Sequence, residues 1–198
     1  MQLRPVGSAV GALVLGHGAG GGIESPDLVA ATKAAGSAGL TVALMEQPYR
    51  VAGRRSPAPA NQLDAAWTSV VSQLRAGALS GIDFLLTGGR SSGARVACRT
   101  AADTDSSAVL CLAFPLHPPG RPEKSRLDEL DGVKVPTLVV QGMNDPFGMP
   151  PDGPSRTVTR VPGTHSLRNG SAIATAVADW LATVLATARL SPRGGTDR

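Results

Sequence analysis

A chain of 198 residues, 42% of them hydrophobic, is long enough for one domain with a substantial core. Its net charge of +4 comes from scattered basic residues, and only 3% of its residues are aromatic, so it lacks the basic, aromatic-rich pattern of a nucleic-acid surface. We find no stretch that we expect to span a bilayer, and we therefore expect neither a nucleic-acid nor a membrane partner.

The cysteines and the N-terminus bear on the cellular compartment. Cys98 and Cys111 are the only cysteines, one in a predicted helix and one in a predicted strand. Two buried free thiols fit a reducing compartment better than a disulfide framework does. The apolar segment that ends at Leu15 superficially resembles a signal peptide, but glycine and serine interrupt it and no convincing cleavage site follows. We therefore expect a cytoplasmic protein.

Strand-like and helix-like segments alternate along the chain. In chain order, the predicted elements are strand 9–15, helix 26–38, strand 40–45, helix 61–76, strand 82–87, helix 92–100, strand 108–113, helix 125–130, strand 135–141, an edge strand 156–161 and helix 172–188.

This alternation predicts parallel strands joined by right-handed crossovers, in a three-layer α/β fold with a mostly parallel six-stranded sheet. We expect a single domain over residues 1–190 and a disordered tail over 191–198. Ligands of such sheets bind at the carboxyl ends of the strands, so the residues that follow each strand are the candidates for function.

The loop after the first strand, Gly16-His17-Gly18-Ala19-Gly20-Gly21-Gly22, has two interpretations. The spacing Gly16-x-Gly18-x-x-Gly21 matches the dinucleotide-binding fingerprint, and Glu46 closes the second strand, where a ribose-binding acid would lie. Alternatively, the loop offers the backbone N–H of Ala19 to an oxyanion. We favour the second interpretation, because the first leaves the later motifs without a role.

Ser91 lies at the centre of Gly89-Arg90-Ser91-Ser92-Gly93, directly after the third predicted strand and before a helix. A Gly-x-Ser-x-Gly sequence in this context is typical of a nucleophile elbow, in which a sharp turn holds the serine in a strained conformation and leaves no room for flanking side chains. The pattern alone is weak, and its position between a strand and a helix strengthens it.

Two further candidates follow the fifth and sixth predicted strands. Asp145 lies in Gln141-Gly142-Met143-Asn144-Asp145-Pro146, and His165 lies in Gly163-Thr164-His165-Ser166. Serine, acid and histidine in this order predict a triad in which Asp145 orients His165 and His165 takes the proton of Ser91. The N–H groups of Ser92 and Ala19 would form the oxyanion hole. Each residue also has an ordinary interpretation, Asp145 as a turn residue and His165 as an exposed loop histidine.

Four other residues are candidates for substrate contact. His17 more simply braces the glycine loop, and His117 follows the fourth predicted strand, where it could line a pocket. Gly18 and Arg90 lie beside the oxyanion loop and the nucleophile. The three scattered histidines show no ligand spacing, so we expect no metal, and no cofactor either.

Taken together, these motifs resemble those of the small α/β-hydrolases related to dienelactone hydrolase. The resemblance rests on the glycine loop, on Glu46-Gln47-Pro48-Tyr49-Arg50, on the elbow, on residues 114–120, on residues 141–148 and on residues 163–166, and it covers about residues 8 to 188. Among these hydrolases, the motifs most resemble the branch that includes a regulatory subunit of the non-specific-lethal histone acetyltransferase complex. The resemblance implies an α/β-hydrolase fold, the triad Ser91, Asp145 and His165, and an oxyanion loop at Gly18-Ala19. Dienelactone hydrolase itself has a cysteine nucleophile, so its lactone specificity is not implied.

We therefore predict a serine hydrolase that acts on a small ester or thioester through an acyl-enzyme, with a minimal lid or none. The alternatives are a catalytically silent binding or scaffold protein of the same fold and, less favoured, a dinucleotide-binding protein. The sequence leaves homodimerisation, a protein partner and the physiological substrate open.

Overall fold

Residues 1–190 are described by a computed structural model, in which the chain forms seven strands and six helices. The strands are β1 (Gln2–Arg4), β2 (Gly11–Gly16), β3 (Leu40–Met45), β4 (Leu85–Arg90), β5 (Ala108–Leu112), β6 (Thr137–Gly142) and β7 (Arg156–Val161). The helices are α1 (Pro26–Ser37), α2 (Pro48–Val51), α3 (Ala60–Ala76), α4 (Ser92–Arg99), α5 (Leu127–Asp131) and α6 (Gly170–Leu190).

All seven strands belong to one sheet, in the order β1-β3-β2-β4-β5-β6-β7. Strands β2 to β7 pair in parallel, and β1 pairs antiparallel with β3 at one edge. The predicted α/β fold is confirmed, but the expected count of six strands is wrong. Strand β1 has only three residues, all exposed. Such a segment is too short to show the alternation of apolar and polar residues that predicts a strand.

Several boundaries also differ from the predictions. Strand β4 begins at Leu85, three residues later than predicted, and ends at Arg90. The strand therefore leads directly into the elbow at Ser91. The short helix α2 lies between the predicted strand 40–45 and the predicted helix 61–76, where we expected no element, and Pro48 suits the first turn of a helix. The predicted disordered tail, 191–198, lies outside the described residues.

Helices cover both faces of the sheet and give the predicted three layers. On one face, α1 and α6 pack their buried apolar side chains, such as Leu28, Ile173 and Leu181, against alternate residues of the strands. On the other face, α3, α4 and α5 contribute a second apolar cluster, in which Trp67 is fully buried. The inner strands β2, β3, β5 and β6 are buried on both faces, so their buried runs are continuous rather than alternating.

Helix α6 corrects the expectation about membrane spans. Its residues 170–189 are long and apolar enough to cross a bilayer by length and composition, with a mean hydropathy of 1.4. In the structure, however, Ile173, Val177 and Leu181 of this helix are fully buried in the core that it shares with α1. Only 28% of this apolar stretch is buried in the structure, so burial in the core accounts for part of its composition.

The two cysteines lie side by side in the second apolar cluster. Cys98 on α4 and Cys111 on β5 are buried free thiols whose Sγ atoms are 3.4 Å apart. The contact with Cys111 and burial both raise the pKa of Cys98 well above its usual value, so this thiol stays protonated.

The connection from β5 to α5, residues 113–126, is where a lid would be inserted. In the described chain it forms turns without a helix or a strand, and α5 itself has only five residues. The carboxyl edge of the sheet is therefore left accessible above Ser91.

Candidate active site

The elbow holds Ser91 in a strained backbone conformation. Its φ of 52° and ψ of −110° lie in a region that non-glycine residues rarely adopt. The N–H of Ser91 donates to the carbonyl of Leu112 at 2.9 Å, which ties the turn to the neighbouring strand. A Cβ on Gly89 would lie 2.5 Å from the carbonyl oxygen of Gly16, so only glycine fits where β2, β4 and α4 converge. The strain at Ser91 is thus enforced by tight packing around it.

Ser91, His165 and Asp145 form one continuous hydrogen-bonded chain. Nε2 of His165 lies 2.9 Å from Oγ of Ser91, and Nδ1 of His165 lies 2.8 Å from Oδ2 of Asp145. The Asp145 side chain is completely buried, whereas that of His165 remains 15% exposed. The structure therefore brings together the three residues that the sequence placed after three separate strands, at distances suited to proton transfer.

Two residues without a sequence-based role fix this acid and this histidine. Nε2 of Gln141 lies 2.9 Å from Oδ2 of Asp145, and the N–H of Phe147 donates to Oδ1 at 2.8 Å. The ring of Phe147 also packs on the imidazole of His165, with centroids 4.2 Å apart. Both residues lie in the segment 141–148 that carries the acid. Their closeness to Asp145 in the sequence was the only feature from which these roles could have been predicted.

The glycine loop is braced by His17, as the simpler interpretation of that residue predicts. Nε2 of His17 accepts the N–H of Gln47 at 2.9 Å, which leaves Nδ1–H to donate to the carbonyl of Gly18 at 2.7 Å. Burial lowers the pKa of His17, so the ring stays neutral and keeps this tautomer. Tyr49 adds a hydrogen bond to the carbonyl of Ala19 at 3.0 Å. Together these contacts fix the orientation of the peptide groups in the loop.

The two predicted oxyanion donors lie beside the nucleophile. Ser92 is the first residue of α4, so its N–H has no acceptor inside the helix. Ala19 and Ser91 line the same cavities. The loop geometry also disfavours the dinucleotide interpretation, because α1 begins at Pro26, well after Gly21, and a fingerprint glycine would have to open that helix.

Arg90 links three parts of the site. Its Nε lies 2.8 Å from Oδ2 of Asp27, a fully buried carboxylate at the start of α1, and its Nη2 donates to the carbonyl of His165 at 3.1 Å. The guanidinium also packs against Gly18. Arg90 therefore holds the histidine loop and the glycine loop to the end of β4. Nothing in the sequence indicated Asp27 as its partner.

His117 is placed away from the nucleophile. Its Nδ1 lies 2.9 Å from the carbonyl of Pro118, and its ring packs against Gly148. His117 lines neither of the two cavities that border Ser91. The structure therefore does not bring it to the position that the substrate-contact hypothesis requires.

Two cavities open on either side of Ser91. The larger, which we call the His165 cavity, has a volume of about 750 Å³ and is lined by His165, Arg90 and Arg168 among others. The smaller, which we call the Arg126 cavity, has a volume of about 310 Å³ and is lined by Ser92, Arg95, Arg99 and Arg126 among others. Ala19 and Phe147 border both cavities. An ester bound at Ser91 can thus extend to both sides.

A protein family matches most of the chain. The sequence profile of the alpha/beta hydrolase domain family matches residues 9–170. No curated protein sequence matches the chain significantly.

Three solved structures illustrate the similarity of fold. The ferulic acid complex of Est1E from Butyrivibrio proteoclasticus has a TM-score of 0.75 at 16% identity, covering 93% of this chain and 94% of that one. Dienelactone hydrolase from Anabaena variabilis has a TM-score of 0.70 at 20% identity, covering 91% and 89%. An α/β serine hydrolase without a lid from Xanthomonas campestris has a TM-score of 0.63 at 20% identity, covering 97% and 88%. These similarities confirm the fold, whereas the more specific branch that the motifs resemble stays a prediction.

Proposed function

The chain belongs to the alpha/beta hydrolase domain family, and from this membership we propose that it is a serine hydrolase that cleaves a small carboxylic ester or thioester. The observation that carries the proposal is the unbroken chain from Ser91 Oγ through His165 to Asp145, with contacts of 2.9 and 2.8 Å. Ser, His and Asp in this arrangement convert a weakly nucleophilic hydroxyl into an effective nucleophile.

The reaction proceeds in two halves. Oγ of Ser91 forms a bond to the substrate carbonyl carbon while His165 Nε2 takes the hydroxyl proton, and Asp145 stabilises the imidazolium. The tetrahedral intermediate then collapses, the bond to the leaving group breaks, and His165 returns the proton to the departing oxygen or sulfur. Water, deprotonated by the same imidazole, then attacks the acyl carbon. The bond from this carbon to Ser91 Oγ breaks, His165 returns the proton to Oγ, and the acid and free Ser91 are released.

The developing oxyanion is bound by the N–H groups of Ala19 and Ser92 in this mechanism. Each such donor typically contributes about 3–4 kcal/mol in the transition state. The contacts of His17 and Tyr49 with the glycine loop serve this role, because a fixed loop needs no reorganisation as the charge forms. The strained backbone of Ser91 presents Oγ and the following N–H on the same side of the substrate carbonyl.

The accessible site favours small or flexible acyl esters. Two moderate cavities border the nucleophile, and both are exposed to solvent at the carboxyl edge of the sheet. Two further structures of similar fold are an esterase domain from Rhodothermus marinus and an esterase from Pyrococcus furiosus, which supports ester hydrolysis over amide hydrolysis.

Hydrolysis of p-nitrophenyl esters of increasing acyl length tests this proposal. We expect turnover by the wild type, loss of turnover in Ser91→Ala, and full turnover in Ser37→Ala, which removes an exposed hydroxyl at the end of α1. Equal rates for wild type and Ser91→Ala would overturn the proposal.

A further inference from the structure

The position of His165 determines which half of an ester lies in which cavity. The leaving oxygen takes its proton from His165 Nε2, so the leaving group must lie within reach of that ring, in the His165 cavity. The acyl carbonyl is bonded to Ser91 Oγ and directs its oxygen to the N–H groups of Ala19 and Ser92. The rest of the acyl group therefore extends to the other side, into the Arg126 cavity, which Ser92 lines and His165 does not.

Two of the three guanidinium groups at this cavity are already neutralised. Arg95 forms a two-pronged ion pair with Glu129, with contacts of 2.9 and 2.5 Å. Arg99 forms another with Asp64, at 2.8 and 2.6 Å, and also reaches Glu129 at 3.2 Å. These pairs connect α3, α4 and α5, and they fix the wall of the cavity.

Arg126 is the surplus cation. Its Nη1 donates to the carbonyl of Pro115 at 2.9 Å, and within residues 1–190 no carboxylate lies at salt-bridge distance from it. Burial and the positive charge of Arg95 lower the pKa of Arg126, and the negative charge of Glu129, which Arg95 and Arg99 already share, opposes them in part. A partly buried guanidinium without a carboxylate in direct contact is costly, and a ligand carboxylate would relieve that cost.

We infer that the acyl half of the substrate carries a negative charge, as in a half-ester of a short dicarboxylic acid, and that Arg126 binds this distal carboxylate. Arg126 is thus a specificity-determining residue. A volume of about 310 Å³ accommodates a short acyl chain with a terminal carboxylate. A planar guanidinium offers two parallel donors that match the two oxygens of that carboxylate. This inference rests on the proposed hydrolysis at Ser91, because the acyl group is placed in the Arg126 cavity only if His165 donates its proton to a leaving group in the His165 cavity.

Two substrates with equal chain length and the same leaving group test the inference. Mono-p-nitrophenyl adipate ends in a carboxylate where p-nitrophenyl hexanoate ends in a methyl group. We expect kcat/KM for the adipate ester to exceed that for the hexanoate ester by about tenfold or more in the wild type. This ratio should fall to about 1 in Arg126→Gln and recover in part in Arg126→Lys, which keeps the charge without the two-pronged geometry.

Arg121→Gln is the matched control, because it removes an exposed guanidinium from the same connection without touching either cavity. The ratio should stay at the wild-type value in this variant, and thermal unfolding should show that every variant folds. A wild-type ratio near 1, or an equal fall in Arg121→Gln and Arg126→Gln, would overturn the inference while leaving hydrolysis at Ser91 intact.

Binding separates failure of the inference from failure of the proposed function. If neither ester is hydrolysed, the proposed function is wrong, and calorimetric titration of monomethyl adipate into Ser91→Ala then decides about the subsite. Binding that is weakened about tenfold or more by adding Arg126→Gln supports the carboxylate site. Binding that is equal in the two proteins, or no binding to either, overturns it.

Discussion

Replacement of Asp145 by asparagine should prevent His165 from acting as a base while the protein still folds. Both carboxylate oxygens are occupied by donors, Oδ1 by the N–H of Phe147 and Oδ2 by His165 Nδ1 and Gln141 Nε2. The side chain is fully buried, so no water can replace a lost partner easily. Asparagine has one acceptor oxygen and one NH₂ group, and it cannot satisfy donors on both sides.

The preferred orientation of the asparagine determines the size of the effect. If its oxygen faces Phe147, its NH₂ group faces His165, and the imidazole must then accept at Nδ1 and carry its proton on Nε2. That tautomer donates to Ser91 Oγ and cannot take its proton. We expect kcat for p-nitrophenyl acetate to fall about 10⁴-fold, which corresponds to about 5.5 kcal/mol in the barrier.

Steady-state kinetics of Asp145→Asn and of Asp179→Asn, an exposed residue on α6, measure this effect. Thermal unfolding of both variants shows whether the fold survives. A folded Asp145→Asn protein with kcat within about tenfold of wild type would refute the argument that Asp145 sets the tautomer of His165.

Three further predictions concern the supports of the site. Asp27→Asn leaves the guanidinium of Arg90 without its buried charged partner, so the free energy of unfolding in urea should fall by about 3 kcal/mol. An unchanged free energy of unfolding would show that the ion pair contributes nothing to stability. Because burial lowers the pKa of His17 from 6.5, the unfolded chain binds this proton more readily than the folded one, so stability should hold above about pH 6.5 and decline as the pH falls below it. The decline, measured by urea unfolding from about pH 7.5 to about pH 5, should be smaller in His17→Gln, and an unchanged slope would contradict the assignment. Trp67→Ala removes a fully buried ring from the second core and should destabilise the protein by about 3–5 kcal/mol in the same assay; a loss below about 1 kcal/mol would show that the core collapses around it.

Residues that follow a strand directly could be placed from the sequence. Ser91, Asp145 and His165 each come after a predicted strand, and parallel strands bring their carboxyl ends to one edge. The glycines around Ser91 indicated the elbow, and the structure gives the physical reason. A side chain at Gly89 or Gly93 would meet the backbone of Gly16. Chain order and local backbone geometry therefore carried this part of the prediction.

The supporting residues could not be placed in the same way. Asp27 pairs with Arg90, far away in the chain, and Arg126 borders a cavity that residues of α3 and α4 also line. Nothing in their local sequence distinguishes either residue from a solvated charge. Gln141 lies inside a buried strand, where its amide bonds depend on how the following loop folds back. Their roles arise from tertiary contacts, so periodicity and motif spacing do not predict them.

The most direct test of the account is the intact mass of the protein after treatment with a fluorophosphonate, followed by peptide mapping. An activated Ser91 should give a single adduct on the wild type, mapped to Ser91 rather than Ser92, and none on Ser91→Ala. A well-folded wild type without an adduct, or an adduct that persists in Ser91→Ala, would contradict the claim that Ser91 is the nucleophile.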